Sequence, residues 1–261
     1  MRAPWIETVV RHWRHGRIVR RRAGERHPGI VAALRAATPD SVLLAGNSHA
    51  EFIGSPDLGG RPCINLAVGG STAADCARHL ADLRLPVRCA AAILIIGTND
   101  LQRWRHPERL RTRDRFEVEA RRILRILDRW SAQVFVAAVP PIGTEATGRD
   151  PAAVAAFSAR LAGLCVAEGH AFVDPFARWR AGTGGLAGAG LHRDGVHLAD
   201  YAPLAEAVAR LVALGPEPPA GRPWCPAAPI PVAPAAASAM APAIATAATL
   251  RVLRAAWIGR L

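Results

Sequence analysis

A short apolar run that ends in a glycine and a serine is the feature that most constrains the fold of this chain. Residues 42–45 read Val-Leu-Leu-Ala, follow the turn signal Thr-Pro-Asp at 38–40, and precede Gly46, Asn47 and Ser48. Such a run is typical of a strand buried on both faces of a parallel sheet. A serine after its carboxyl end would face the crevice where open α/β sheets bind ligands. Ser48 is therefore a candidate nucleophile, although a turn residue or a helix N-cap would fit the same pattern.

Short apolar segments alternate with longer amphipathic or alanine-rich segments along the rest of the chain. Four more strands are predicted, at residues 63–68, 91–96, 133–139 and 171–173. Helices are predicted at residues 72–83, 107–130, 151–168 and 199–214. Strands joined by helical crossovers form a parallel sheet with helices on both faces. The pattern therefore predicts an α/β fold.

The stretch DGVHL at residues 194–198 supplies a carboxylate and an imidazole on one predicted loop. A serine hydroxyl needs a base within hydrogen-bond reach, and that base needs a group that fixes its tautomer. Asp194 can accept the Nδ1 proton of His197 while Nε2 points toward Ser48. A plain turn followed by a histidine at a helix start would fit the same residues.

Two further polar groups follow the ends of predicted strands. Gly70 lies in INLAVGGST, residues 64–72, and Asn99 lies in ILIIGTND, residues 93–100. Because the carboxyl ends of parallel strands share one edge of the sheet, both groups are expected near Ser48. The tetrahedral intermediate of acyl transfer needs hydrogen-bond donors already in place for its oxyanion. A strand-to-helix turn at the glycine and an Asx turn at the asparagine are the alternative interpretations.

In this order the four stretches resemble the four sequence blocks of the SGNH hydrolases, the GDSL-type esterases and lipases, over roughly residues 38–214. The resemblance implies a flavodoxin-like three-layer sandwich with a five-stranded parallel sheet of order 2-1-3-4-5, plus N- and C-terminal extensions. It also implies the site residues: Ser48 as nucleophile, His197 as base, Asp194 as the partner of the base, and the oxyanion donors Ser48, Gly70 and Asn99.

This sequence departs from the family pattern beside the nucleophile. Asn47 stands where the family usually has aspartate, and His49 replaces the usual small apolar residue. The departure bears on fine tuning and on substrate class. The α/β-hydrolase elbow G-x-S-x-G does not fit, because Ala50 occupies the position of its second glycine.

The resemblance implies a serine hydrolase that cleaves an ester, with a small acyl group on a carbohydrate, lipid or other alcohol. Its expected partner is a small-molecule ester, with no cofactor and no metal, since the histidines have no metal-ligand spacing. An O-acyltransferase on the same fold and a catalytically silent binding module are the alternatives. Labelling by a fluorophosphonate separates an enzyme from a module.

Charge and cysteine content exclude several classes of protein. The net charge of +12 divides into +6 for residues 1–26, +3 for 27–214 and +3 for 215–261. The central region is therefore not a basic platform for nucleic acid. Five cysteines without a C-x-x-C pair argue against a disulfide scaffold and against a zinc site.

The predicted organisation is a basic N-terminal extension at residues 1–30, a catalytic domain at 31–214 and a Pro/Ala-rich tail at 215–261. In the extension a short amphipathic helix is expected to end at Gly16 and lead into an exposed connector. That helix either packs on its own domain or makes weak contact with an anionic membrane surface. The tail, with a short helix at its end, is expected to be extended.

The chemistry is expected to need neither end of the chain. Residues 1–16 contain no apolar segment typical of a secretory signal, so a cytoplasmic location is expected.

Overall fold

The computed structural model of the chain describes residues 4–182 and 184–214. Within them five strands form one parallel sheet of order β2-β1-β3-β4-β5. The strands are β1 Val42–Gly46, β2 Cys63–Asn65, β3 Cys89–Ile95, β4 Ser131–Ala137 and β5 Ala171–Val173. The α/β fold and the flavodoxin-like strand order are both confirmed. The inner strand β1 pairs with β2 and β3, since Leu44 lies beside Asn65 and Ile93.

Helices cover both faces of this sheet, as the alternation of side chains along β1 requires. Leu43 and Ala45 belong to one core with α1, α3, α4 and α5, whereas Val42 and Leu44 belong to a second core with α2 and α6. The helices are α1 Pro4–Arg35, α2 Ser48–Ile53, α3 Ala73–Asp82, α4 Leu110–Trp130, α5 Pro151–Glu168 and α6 Ala202–Leu214.

The predicted end of the first helix at Gly16 is wrong. α1 runs without a break from Pro4 to Arg35, through Gly16 and Pro28 and across the predicted domain boundary at residue 30. A helical glycine costs only about 1 kcal/mol relative to alanine, and packing of an apolar face readily outweighs this. α1 has such a face, in which Val19, Ile30 and Leu34 are buried. The helix therefore packs on its own domain, while its outer face leaves Val9, Trp13 and Ile18 exposed.

α5 is long and apolar enough to cross a membrane by length and composition. In this fold it lies on the sheet, with Val154, Phe157, Leu161 and Leu164 buried in the first core. An apolar helix of this kind is what covers one face of an α/β sheet.

The predicted proline-rich tail and terminal helix lie outside the described residues. So does Cys225, whereas Cys63, Cys76, Cys89 and Cys165 are free thiols.

Candidate active site

Ser48 is presented by a sharp turn at the carboxyl end of β1. Gly46 has a φ of 140°, and a Cβ atom there would lie 2.0 Å from the carbonyl oxygen of Ile95, so only glycine fits. Asn47 then caps α2, because its Oδ1 accepts the N–H of His49 at 3.0 Å. Ser48 is the first residue of α2 and is 5% exposed.

Hydrogen bonds across the sheet edge tie this turn to both neighbouring loops. The carbonyl of Gly46 accepts the N–H of Val68 at 3.1 Å, and the N–H of Asn47 donates to the carbonyl of Ile95 at 3.1 Å. The loops after β2 and β3 are therefore held beside the serine. These are the loops that contain the other strand-end residues predicted from the sequence.

The structure joins Ser48, His197 and Asp194 by hydrogen bonds. His197 Nδ1 lies 2.6 Å from Asp194 Oδ2, and the N–H groups of His197 and Val196 donate to Asp194 Oδ1 at 2.7 and 3.0 Å. Because an ionised carboxylate only accepts, Nδ1 carries the imidazole proton. The Nε2 atom is then free to accept from the Ser48 hydroxyl, 3.0 Å away.

The hydrogen bonds also decide the protonation of Asp194. Partial burial raises the pKa of this carboxyl group, but the hydrogen bonds from His197 and from two backbone N–H groups outweigh burial. The pKa is held well below its usual range. Asp194 is therefore ionised at neutral pH and can fix the tautomer of its neighbour.

Gly70 and Asn99 lie on neighbouring loops that are connected through Ser71. The N–H of Ser71 donates to the carbonyl of Val68 at 3.2 Å, which closes a turn that holds Gly70 at a φ of 84°. The carbonyl of Ser71 accepts one N–H of the Asn99 amide at 3.1 Å. An amide carries a second N–H, which can serve another acceptor. The structure thus links these two predicted residues through Ser71.

Arg149 fixes the orientation of the Asn99 amide. Its Nη2 donates to Asn99 Oδ1 at 3.2 Å, and its Nε donates to the carbonyl of Thr98 at 3.0 Å. A guanidinium only donates, so the oxygen of the amide must face Arg149 and the nitrogen must face away. Burial lowers the pKa of Arg149, and the carboxylate of Asp194 opposes this effect.

His49, the second departure from the family pattern, is a buried neutral histidine. It is fully buried, and desolvation, followed by repulsion from the imidazole of His197 when that ring is protonated, lowers its pKa to about 3. Its Nδ1 lies 3.3 Å from the hydroxyl oxygen of Tyr201, and its ring centre lies 5.9 Å from that of His197. It therefore lines the site without adding a charge at neutral pH.

Comparison with known protein families identifies the family of this chain. The GDSL-like Lipase/Acylhydrolase family matches residues 50–202. The chain belongs to this family. The match begins two residues after Ser48, so the position of the serine in this family member rests on the turn and the hydrogen bonds described above.

Solved structures of GDSL-like and related proteins share the fold. A protein from Streptococcus pneumonia solved under the name of a platelet activating factor has a TM-score of 0.62 and 15% identity, covering 81% of this chain and 100% of its own. A GDSL-like lipase from Bacteroides thetaiotaomicron has a TM-score of 0.52 and 16% identity, covering 70% and 94%. A variant of an acetyl xylan esterase from Geobacillus stearothermophilus has a TM-score of 0.51 and 18% identity, covering 69% of this chain and 96% of its own.

Comparison with curated proteins finds no match to this chain.

The rim of the site in this GDSL-like protein is aromatic and basic. The ring centre of Phe52 lies 5.3 Å from that of His197 and 5.5 Å from that of Tyr201. The guanidinium of Arg193 lies 4.9 Å from the same phenyl ring. Among residues 4–182 and 184–214 no group of three or more His, Cys, Asp or Glu side chains could hold a metal ion.

Three residues that contact this site could not be predicted from the sequence. They are Arg149, Tyr201 and Glu51. Arg149 acts on a residue 50 positions away, and Tyr201 acts on one 152 positions away, so no local pattern indicates either of them. Glu51 lies one turn after Ser48 in α2, a six-residue helix that is too short to give a periodic signal in the sequence.

Proposed function

We propose that this chain is a serine esterase that works through an acyl-enzyme on Ser48. The observation that carries the proposal is the continuous hydrogen-bonded chain from Ser48 through His197 to Asp194. It has the roles that nucleophilic catalysis requires: a nucleophile, a base in reach and a group that orients the base. Membership of a family of lipases and acylhydrolases supports the same chemistry.

In the first half-reaction the Ser48 oxygen attacks the ester carbonyl as His197 Nε2 takes the hydroxyl proton. The carbonyl oxygen becomes an oxyanion, for which the Ser48 and Gly70 backbone N–H groups and the Asn99 amide are the proposed donors. Collapse of this intermediate expels the alcohol, which takes the proton from His197. The ionised Asp194 stabilises the imidazolium that forms between these steps.

In the second half-reaction water replaces the alcohol. His197 removes a proton from the water, whose oxygen attacks the acyl carbon. A second oxyanion forms at the same donors and collapses to release the carboxylic acid, and Ser48 recovers its proton. If a sugar or another alcohol took the place of water, the same steps would transfer the acyl group instead.

The proposed substrate is an ester with a small acyl group on a carbohydrate, lipid or other alcohol. Relatives of this fold include proteins described as a GDSL-like lipase and an acetyl xylan esterase, so both kinds of alcohol belong in the test. Phe52 and Arg193 lie beside His197 and offer an apolar surface and a cation to the substrate.

The test is a screen of the purified chain against p-nitrophenyl esters of increasing acyl length, with Ser48→Ala as control. We expect turnover that requires Ser48 and falls as the acyl chain lengthens. Labelling of Ser48 by a fluorophosphonate reports the activated hydroxyl independently of substrate. An inactive, unlabelled wild-type chain that is folded would refute the proposal, and product partition with added sugar distinguishes transfer from hydrolysis.

A further inference from the structure

One face of α1 lies along the loop that holds Gly70. His15, Val19, Arg22 and Arg26 follow one another at spacings of four, three and four residues, so they form a single stripe on the helix. Val19 is 5% exposed, and a Cβ atom on Gly70 would lie 3.5 Å from its Cγ2. This stripe therefore contacts the backbone of the proposed oxyanion loop directly.

Glu51 connects this stripe to the loop. Its side chain is 10% exposed, and its Oε1 accepts from Arg22 Nη2 at 2.9 Å and from Arg22 Nε at 3.3 Å. The Nη1 atom of Arg26 lies 3.7 Å from the same oxygen. The other carboxylate oxygen accepts the N–H of Gly69. One buried carboxylate thus joins two arginines of α1 to the residue before Gly70.

The packing around Gly69 is tight. A Cβ atom at this position would lie 2.9 Å from both Arg22 Cζ and Glu51 Oε2, so the ion pair of Arg22 and Glu51 packs directly against the backbone of Gly69. Two consecutive glycines have large conformational freedom and no side chains to anchor them. The contacts from Glu51 and Val19 supply the anchoring that the sequence Gly69-Gly70 lacks.

The same helix also meets the far side of the loop. Thr72 and Asp75 form a reciprocal capping box at the start of α3. His15 Nε2 lies 3.7 Å from Asp75 Oδ2. α1 therefore contacts the structure before Gly70 through Arg22 and the structure after it through His15.

From these contacts we infer that Arg22 and Glu51 are positioning residues for the oxyanion hole. The ion pair holds the Gly69 N–H, and this holds the following peptide so that the Gly70 N–H stays directed at the oxyanion. The inference rests on the proposed function and assigns to the N-terminal helix a part in catalysis. It also means that residues 1–30 are needed for the chemistry.

The test compares Arg22→Gln with Arg21→Gln in the full chain. Arg21 is the matched control, since its side chain is 84% exposed and pairs only locally with Glu25. With p-nitrophenyl acetate we expect Arg22→Gln to lower kcat about tenfold or more with little change in KM, because small misplacements of reacting groups are costly in rate. Arg21→Gln should retain both constants.

Affinity for a boronic acid supplies a readout that fold stability alone would not move. The boron atom forms a tetrahedral adduct with the serine hydroxyl and therefore needs the oxyanion donors. Its inhibition constant should rise in Arg22→Gln by about the factor lost from kcat. Arg22→Gln combined with Glu51→Gln should recover part of the loss, because a largely buried carboxylate that has lost its nearer arginine becomes a neutral amide, whose oxygen can still accept from Gly69.

The outcomes separate this inference from the proposed function. A folded wild-type chain without esterase activity or Ser48 labelling overturns both. An active wild type with an equally active and equally inhibited Arg22→Gln overturns the positioning role alone. If Arg22→Gln does not fold, Arg22→Lys replaces it: the charge remains but the two-pronged contact is lost, so a several-fold lower kcat supports the inference and an unchanged kcat overturns it.

Discussion

On the base side of the proposed site His197 and its partner lie on one short loop, whereas on the oxyanion side the proposed donors come from loops after three different strands. Asp194 and His197 lie three residues apart and hold each other through a side-chain and a backbone hydrogen bond. Gly70 and Asn99 depend on partners far away in sequence, namely Glu51 through Gly69, and Arg149. The difference suggests that the base survives distant substitutions and that the oxyanion donors are sensitive to them.

The largest effect should come from the residues that both sides share or that form the base. Ser48→Ala should lower kcat by several orders of magnitude without unfolding the chain. His197→Ala should be nearly as damaging and Asp194→Ala somewhat less, since the orienting carboxylate is the least costly member to lose. Steady-state kinetics measures kcat, and thermal unfolding shows whether each variant is folded. Normal turnover in a folded Ser48→Ala protein would remove the basis of the comparison.

Asn99 tests the oxyanion side directly. Its amide should contribute more to the transition state than to the ground state, so Asn99→Ala should lower kcat about a hundred- to a thousandfold, or about 2.7 to 4 kcal/mol, with little change in KM. Asn99→Asp should be at least as damaging because a carboxylate would face the oxyanion. An Asx turn predicts the opposite: an active Asn99→Asp, and an active but less stable Asn99→Ala.

Arg149 tests whether the oxyanion side needs its distant support. Arg149→Leu should lower kcat about tenfold, less than Asn99→Ala, because the amide remains but loses the contact that fixes its orientation. A protein with both Arg149→Leu and Asn99→Ala should be no slower than Asn99→Ala alone, since Arg149 acts through the amide of Asn99. Arg103→Gln is the control, an exposed arginine that bonds the carbonyl of Thr147. Additive losses in the double variant would contradict the coupling.

The buried His49 beside Ser48 makes the stability of the fold depend on pH. The pKa of His49 is lowered to about 3, so below pH 6.5 the unfolded chain binds a proton that the folded chain does not. This lowers the free energy of unfolding on acidification, by about 2 kcal/mol between pH 7.5 and pH 5. Burial raises the pKa of Asp100 to about 7, which acts in the opposite direction over the same range.

His49→Gln isolates the contribution of this histidine, because Asp100 is present in both proteins. Urea unfolding at pH 7.5 and pH 5 should show that the wild type loses about 2 kcal/mol more than the variant. An equal loss in both proteins would mean that His49 is already protonated in the folded state.

The smallest effect should come from the tail. Every residue assigned to either side of the site lies between Arg22 and Tyr201, so deletion of residues 216–261 should leave kcat on a soluble ester nearly unchanged. The kcat of the truncated protein is compared with that of the full chain at equal concentrations of active Ser48, which are determined by titration with a fluorophosphonate. A truncated protein that folds and is inactive would place part of the site in the tail and move the domain boundary at residue 214.

Features that depend on neighbouring residues could be predicted from the sequence, whereas features that depend on distant residues could not. The apolar runs of β1 and β3 and the spacing of Asp194 and His197 are local signals, and both appear in the structure. α2 was missed because six residues carry too little periodicity to indicate a helix. The sequence predicts an end of α1 at Gly16 because glycine is a local signal for a helix end. The helix continues because its buried face packs on the domain, and tertiary packing of this kind leaves no local signal.

The long-range contacts could not be predicted from one sequence. The pair of Arg22 and Glu51 joins residues 29 positions apart, and an arginine-rich helix offers many equivalent partners. Nothing near Arg149 in the sequence indicates that it bonds the Asn99 amide. The contact of Arg149 depends on which loops meet at the sheet edge, and the contact of Arg22 depends on where α1 packs against α2, so both follow from the tertiary fold.

α1 precedes the other parts of the site in the sequence, and this orders the assembly of the site during synthesis. The helix and the loop residues that it contacts, up to Asp75, leave the ribosome before His197. His197 follows roughly 120 residues later, which at about 5 to 20 residues per second is a delay of roughly 6 to 24 seconds. The contacts of α1 with the Gly70 loop can therefore form on the nascent chain while Ser48 still lacks its proposed base. The hydrolase would gain its reactivity only when nearly the whole domain has emerged and can close around it.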